Sequence, residues 1–134
     1  MKAVLDTSVL IAGQFDLSSA YDLAVPSLSY AELRYGANLP DLTPSERSTR
    51  LKRISDLERM FGAGLPFDDA AATSYGIITE FVVRSGRTVH GRAIDLLIAA
   101  IAHSQDAAVV TLNPGDLRPL ETIMDVLAPV PGKR

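Results

Sequence analysis

Hydrophobic residues fall along this chain in short continuous runs separated by longer stretches of helical spacing. Ala3, Val4 and Leu5 form the first run, of a length and composition suited to a strand buried on both faces. Leu23-Ala24-Val25-Pro26 is a second run, Ala107 to Thr111 another, and Val126-Leu127-Ala128 a further strand. Leu65-Pro66-Phe67 is expected at a sheet edge, because proline cannot donate to a ladder. Between the runs lie helices. Thr7-Ser8 reads as a turn or cap, followed by the apolar face of Val9, Leu10 and Ile11. Ser27 caps a helix expected to reach about Asn38. Thr43-Pro44-Ser45-Glu46 is a capping box with proline at the first helical position. Its helix continues through Leu51, Ile54, Leu57 and Phe61 and ends at Gly62 and Gly64. Asp68 opens a helix with Ala71, Tyr75, Ile78 and Val82 on one stripe. From Asp95 to about Ser104 the residues are apolar nearly all round, as in a buried helix. Short buried strands alternating with helices predict an α/β fold, a parallel five-stranded sheet with helices on both faces.

Composition narrows the class. At 134 residues the chain forms a single domain with a real core. That domain is expected over residues 1–128, with a loose tail over 129–134 and a polar loop from Gly13 to Ala20. No apolar run reaches the roughly 20 residues that span a bilayer. The amino-terminal stretch is interrupted by Asp6 and lacks a signal-peptide pattern. The absence of cysteine excludes disulfides, thiol nucleophiles and zinc–thiolate sites. A cytoplasmic protein is the simplest expectation. The net charge of −3 argues against a broadly basic nucleic-acid coat, yet permits an enzyme whose acids gather at one spot.

Four acids stand where solvated carboxylates are not expected. Asp6 ends the first strand, at the sheet edge where open α/β folds bind ligands; its plainer role is a helix cap. Glu32 lies among Leu28, Ala31 and Tyr35, read as one apolar stripe. Asp95 heads the buried helix, where it would also favour the helix dipole. Asp116 follows a buried strand in Asn113-Pro114-Gly115-Asp116, which is also a turn signal. Two like charges about 4 Å apart repel by roughly 4 kcal/mol at an effective dielectric near 20. Converging carboxylates must therefore bind protons or a cation. Oxygen ligands without histidine or cysteine select Mg²⁺ or Mn²⁺, and such a cluster reads as a divalent-metal site for phosphoryl chemistry.

Leu-Asp-Thr-Ser-Val-Leu-Ile-Ala at the start, Ser29-Tyr30-Ala31-Glu32-Leu33-Arg34-Tyr35-Gly36, Asp95-Leu-Leu-Ile-Ala-Ala, and Thr111-Leu112-Asn113 with Asp116 resemble, in order, the motifs of PIN-domain ribonucleases. The VapC toxins of bacterial toxin–antitoxin pairs are the nearest likeness. The resemblance implies a Mg²⁺-dependent endoribonuclease with Mn²⁺ as substitute, and a small antitoxin that inhibits it. An RNA substrate, a homodimer and no membrane complete the expected partners. Asp6, Glu32, Asp95 and Asp116 match the acidic quartet. Asp6 and Asp95 would be the main metal ligands, and Glu32 and Asp116 direct or water-mediated ones. Thr7 and Asn113 stand as supporting positions, Asn113 matching a polar site before the fourth acid. Leu117 departs from an aromatic common in the family.

Cations for RNA are sought at Arg34, Arg84, Arg87 and Arg92, with solvated surface as their plainer role. Arg47, Arg50, Lys52 and Arg53 crowd one helix. Of the two histidines, His103 is read as a structural partner and His90 as lying in a basic loop. Apolar surface on the helices 44–61 and 68–85 could form a groove for an amphipathic antitoxin segment. The competing reading is a non-catalytic RNA- or partner-binding module whose acids only cap helices and pair ions. A phosphoryl-accepting receiver domain is excluded: it needs an adjacent acidic pair early in the chain and a late lysine, and Lys133 lies in the tail.

Overall fold

The computed structural model describes residues 1–13 and 20–129. The interior of the loop expected between Gly13 and Ala20, and the tail expected after Pro129, lie outside the described residues. The elements run β1 (Lys2–Leu5), α1 (Thr7–Ala12), β2 (Asp22–Ala24), α2 (Ser27–Gly36), α3 (Pro44–Phe61), α4 (Asp69–Arg84), α5 (Ala93–Ser104), β3 (Ala108–Val110), a 3₁₀ helix (Pro114–Leu120) and β4 (Val126–Leu127). Among the described residues no helix is long and apolar enough to cross a membrane.

The strands are parallel and ordered β2-β1-β3-β4. From β1 the chain crosses to one side to form β2, and later to the other side to form β3. A crevice therefore opens between the carboxyl ends of β1 and β3, the place where open α/β sheets bind ligands. The register sets Ala3 beside Ala108, Val4 beside Val109 and Leu5 beside Val110. Alternation then sends side chains to opposite faces. Val4 and Val109 join one core with Ile78 and Val82 of α4 and Leu96, Ile98 and Ala102 of α5. Ala3, Leu5, Ala108 and Val110 join the other with Val9 and Leu10 of α1, Tyr30 of α2, and Ile54 and Leu57 of α3. Burial on both faces explains why these strands read as continuous apolar runs rather than as alternating ones.

Among the described residues four strands form where five were expected. Leu65-Pro66-Phe67 contributes only an isolated bridge between Leu65 and Pro26. Leu65 N donates to Val25 O at 2.9 Å and Ser27 N donates to Leu65 O at 2.8 Å. Pro66 has no N–H with which to extend the pairing. The same contact removes Ser27 from the cap position: Pro26 precedes the first turn of α2, without a side-chain cap, and the Ser27 N–H is spent on Leu65. The capping box is formed as expected, Glu46 N donating to Thr43 Oγ1 and Thr43 N to Glu46 Oε1. Asp68 caps α4 through Ala71 N.

Two glycines give opposite expectations for the same substitution. A Cβ at Gly64 would lie 2.7 Å from Ser27 Cα and 2.8 Å from Ser27 N, whereas at Gly76, within α4, it would meet nothing within 4 Å. Gly64→Ala must push the start of α2 away from its bridge and should lower stability by about 1–3 kcal/mol. Gly76→Ala should raise it by about 0.5–1 kcal/mol by restricting the unfolded chain. Paired thermal melts of the two variants check this, and a Gly64→Ala melt at or above the unsubstituted protein's would refute the close-packed bridge.

Candidate functional site

The crevice between β1 and β3 is a cleft of about 230 Å³ lined by Asp6, Thr7, Ser8, Ile11, Glu32, Asp95, Thr111, Asn113, Asp116 and Leu117. All four acids singled out in the sequence reach it, each from a different element. Asp6 is held at the end of β1, its N–H donating to Val110 O at 3.0 Å. It is also the N-cap of α1, and its Oδ1 accepts from Val9 N at 3.3 Å. The capping role and the cleft role thus coexist in one carboxylate, which is 6% exposed. Extended backbone at φ −78°, ψ 170° turns the chain from strand to helix and leaves the side chain at the sheet edge.

Glu32 comes from the middle of α2, but not by the stripe expected for it. Ala31 is exposed and Tyr35 is 72% exposed. The buried face is instead Ser29 and Tyr30, with Leu33 partly buried. Glu32 sits at the border of that face, where Thr7 Oγ1 donates to its Oε1 at 2.5 Å. Thr7 Oγ1 also lies 3.2 Å from Ser29 Oγ, whose own hydroxyl donates to Leu5 O at 3.4 Å. Asp95 occupies the first turn of α5. Asp116 lies in the first turn of the 3₁₀ helix, its N–H donating to Asn113 O at 3.1 Å. Asn113 lines the cleft next to it, and its own N–H donates to Thr111 Oγ1 at 3.1 Å.

The electrostatic cost of the arrangement falls on Asp95. Its carboxyl is held above the ordinary carboxylate range, first by burial, then by the charges of Asp6, Glu32 and Asp116, with Arg92 pulling partly the other way. By surface area the residue is exposed, yet enough protein crowds beneath the carboxylate to thin its hydration. A helix N-terminus favours a carboxylate by about 0.3–1 kcal/mol and so acts against the burial and repulsion at this position. Among the described residues no three side chains of the metal-ligating kinds are gathered tightly enough to hold an ion. Asp6 and Glu32 each accept from a neighbouring hydroxyl, and Asp116 stands 4.0 Å from Arg92.

The basic residues make contacts within the protein. Arg92 Nη1 donates to Asp116 O at 3.1 Å and Arg87 Nη1 to Gly115 O at 2.8 Å, so both brace the loop that carries the fourth acid. Arg34 pairs with Glu58 at 3.0 Å and Arg84 with Glu80 at 2.7 Å, outside the cleft. Arg50 and Arg53 donate to Gly36 O and Ile11 O. His103 Nδ1 lies 2.8 Å from Ser74 Oγ between α5 and α4, the structural role expected. The groove expected between the helices 44–61 and 68–85 does not form, because α3 and α4 pack on opposite faces of the sheet. A hollow of about 320 Å³ opens instead among α1, α2 and α3, lined by Ile11, Glu32, Leu33, Gly36, Arg50, Arg53 and Ile54. Sequence reasoning passed over Ser8 and Thr111; their signal was a hydroxyl within two residues of a candidate acid or at the end of a buried strand.

The family profile described as PIN domain matches residues 3–118. Among solved structures, VapBC-5 of Mycobacterium tuberculosis, a member of the VapBC family of toxin–antitoxin systems, is 34% identical, covering 95% of this chain and 96% of that one, with a TM-score of 0.75. FitAcB of Neisseria gonorrhoeae is 25% identical, covering 93% and 96%, also at 0.75. A DNA-bound VapBC of Salmonella typhimurium is 26% identical, covering 96% and 98%, at 0.70. No curated protein sequence matches the chain.

Because Asp95 has a folded-state pKa above its unfolded value, the folded protein holds that proton more tightly than the unfolded chain. This contribution to stability is present below the ordinary carboxylate range and is lost as pH rises through the elevated value. Asp95→Asn should therefore melt higher than the unsubstituted protein in chelator at pH 7, the gap closing as the pH falls below 4. A variant that melts no higher at pH 7 would show that the repulsion is absent.

Proposed function

The chain belongs to the PIN domain family, and we propose that it is a Mg²⁺-dependent endoribonuclease acting as the toxin of a toxin–antitoxin pair. The observation that carries this reading is the meeting of Asp6, Glu32, Asp95 and Asp116 in one cleft at the switch point of the sheet. The donor set is wholly oxygen, suited to a small hard cation. Asp95, its carboxyl raised by burial and then by the charges of the other three acids, sits in excess negative charge that a cation would relieve. Asp6 and Asp95 would hold it, with Glu32 and Asp116 as direct or water-mediated partners. When bound, the cation supplies an activated water and neutralises charge on a scissile phosphodiester.

The chain's own residues do the remainder. Thr7 holds Glu32 in place against repulsion from the other acids. Arg87 and Arg92 fix the Gly115–Asp116 backbone, and so the distance between the fourth acid and the third. Each guanidinium still has N–H groups to offer beyond those bonds, so Arg92 at the cleft margin can also meet a phosphate. Neither histidine lines the cleft, so the reading does not use the 2′-hydroxyl as paired-histidine ribonucleases do. Attack by water then leaves 5′-phosphate and 3′-hydroxyl ends.

The partner follows from the relatives that bear toxin–antitoxin names. The hollow beside the cleft offers Ile11, Leu33 and Ile54 as its apolar wall and shares Ile11 and Glu32 with the acid site. An antitoxin segment seated there would lie next to the catalytic carboxylates.

Asp6→Asn tests the reading directly. Asparagine still caps a helix well, so the fold should hold, while the several kcal/mol a cation contributes should fall away and slow cleavage by about a hundredfold or more. The assay is cleavage of single-stranded RNA with Mg²⁺, Mn²⁺ or chelator, followed by mapping of the ends. Metal-dependent cleavage by Asp6→Asn at the unsubstituted rate would refute the site. Failure of the unsubstituted protein to bind Mn²⁺ in calorimetry would leave only a non-catalytic binding module.

A further inference from the structure

Ser8 takes part in two hydrogen bonds that join opposite walls of the cleft. Its Oγ lies 2.5 Å from Asp6 Oδ1 and 3.2 Å from Leu112 N. A backbone N–H can only donate and a carboxylate can only accept. The one assignment that satisfies both makes Ser8 the acceptor from Leu112 and the donor to Asp6. The N–H from a position 104 residues away thus aims the hydroxyl proton at the acid. Helix capping does not account for this, since the Asp6 side chain is itself the cap and the Ser8 partner lies on another element.

The consequence is a division of labour between the two oxygens of Asp6. Oδ1 accepts from Ser8 Oγ and Val9 N, while Oδ2 accepts no hydrogen bond among the described residues. Leu112 belongs to the segment after β3 that carries Asn113 and Asp116, so the same bond ties the first acid to the strand end that presents the fourth. Thr7, the other hydroxyl of this turn, serves Glu32 instead. We propose that Ser8 is a positioning residue for the metal site: it orients Asp6 so that one oxygen is committed to the protein and the other faces the cleft, and it locks the two walls at one separation. This rests on the metal-dependent nuclease reading and adds a residue to it.

The test compares the full chain with Ser8→Ala, Ser8→Thr and Ser8→Val, using Mn²⁺ titration calorimetry, melting in chelator, and RNA cleavage as a function of Mn²⁺ concentration. Loss of a hydrogen bond that orients a metal ligand weakens metal binding by about 10–100-fold. Ser8→Ala should lose Mn²⁺ affinity by about tenfold or more and need correspondingly more Mn²⁺ for half-maximal cleavage, while regaining most of the rate at saturation. Ser8→Thr should restore the affinity; Ser8→Val, of the same shape without the hydroxyl, should not. Equal Mn²⁺ affinity of the Thr and Val variants overturns the proposal, and that pair decides even if Ser8→Ala fails to fold. A Ser8→Ala protein that melts lower but binds Mn²⁺ like the unsubstituted chain also overturns it. If the unsubstituted chain binds no Mn²⁺ at all, the nuclease reading itself fails, a result distinct from the other two.

Discussion

Four carboxylates converge on one crevice, and the rest of the molecule is arranged to keep them there against their own repulsion. Nothing about Asp6, Glu32, Asp95 and Asp116 favours their company in the absence of a cation; the Asp95 carboxyl is raised first by burial and then by the charges of the other three. The opposing force is the burial of a sheet covered on both faces. Val4 and Val109 look into one core, Leu5 and Val110 into the other, and neither β1 nor β3 can shift without exposing both. At about 25 cal/mol per Å² of apolar surface, a doubly covered strand resists displacement far more strongly than a pair of half-solvated charges can push. The acids ride on elements that cannot move apart.

Smaller contacts refine what the cores make possible. Hydroxyls of consecutive residues at the start of α1 divide the work: Ser8 attends to Asp6 and Thr7 to Glu32. Four guanidinium groups reach backbone carbonyls, Arg87 and Arg92 on the 3₁₀ segment, Arg50 and Arg53 on the ends of α2 and α1. Such contacts steady the backbone, while Arg92 offsets only part of the negative field at Asp95. This is stability given up at one place for function and recovered in the layers beneath.

Much of this is legible in the sequence. The apolar runs announced buried strands, the capping box at Thr43 announced α3, and the acids stood out because they interrupted apolar stretches. Other inferences failed for identifiable reasons. Leu65-Pro66-Phe67 looked like a strand by composition, but proline limited it to one bridge. The stripe of Leu28, Ala31 and Tyr35 suggested the wrong face of α2. Two phases fit a short helix about equally well, and Tyr30, with its hydroxyl bonded to Gly62 O at 2.9 Å, settled the other one. The expected groove failed because two amphipathic helices can look alike while facing different cores.

The sequence alone determined that the fold would be a layered α/β sheet, since periodicity records which residues leave water, and it named the four acids, since charge in an apolar context is a local property. Only the tertiary structure decided that β1 would lie between β2 and β3. That order depends on where the crossovers carry the chain, which no local pattern encodes. With it came the crevice, the pairing of Asp6 with the strand end that bears Asp116, and the bond from Leu112 to Ser8. Contacts between residues a hundred positions apart come into being only when cores fill, because loop closure costs entropy that burial alone repays.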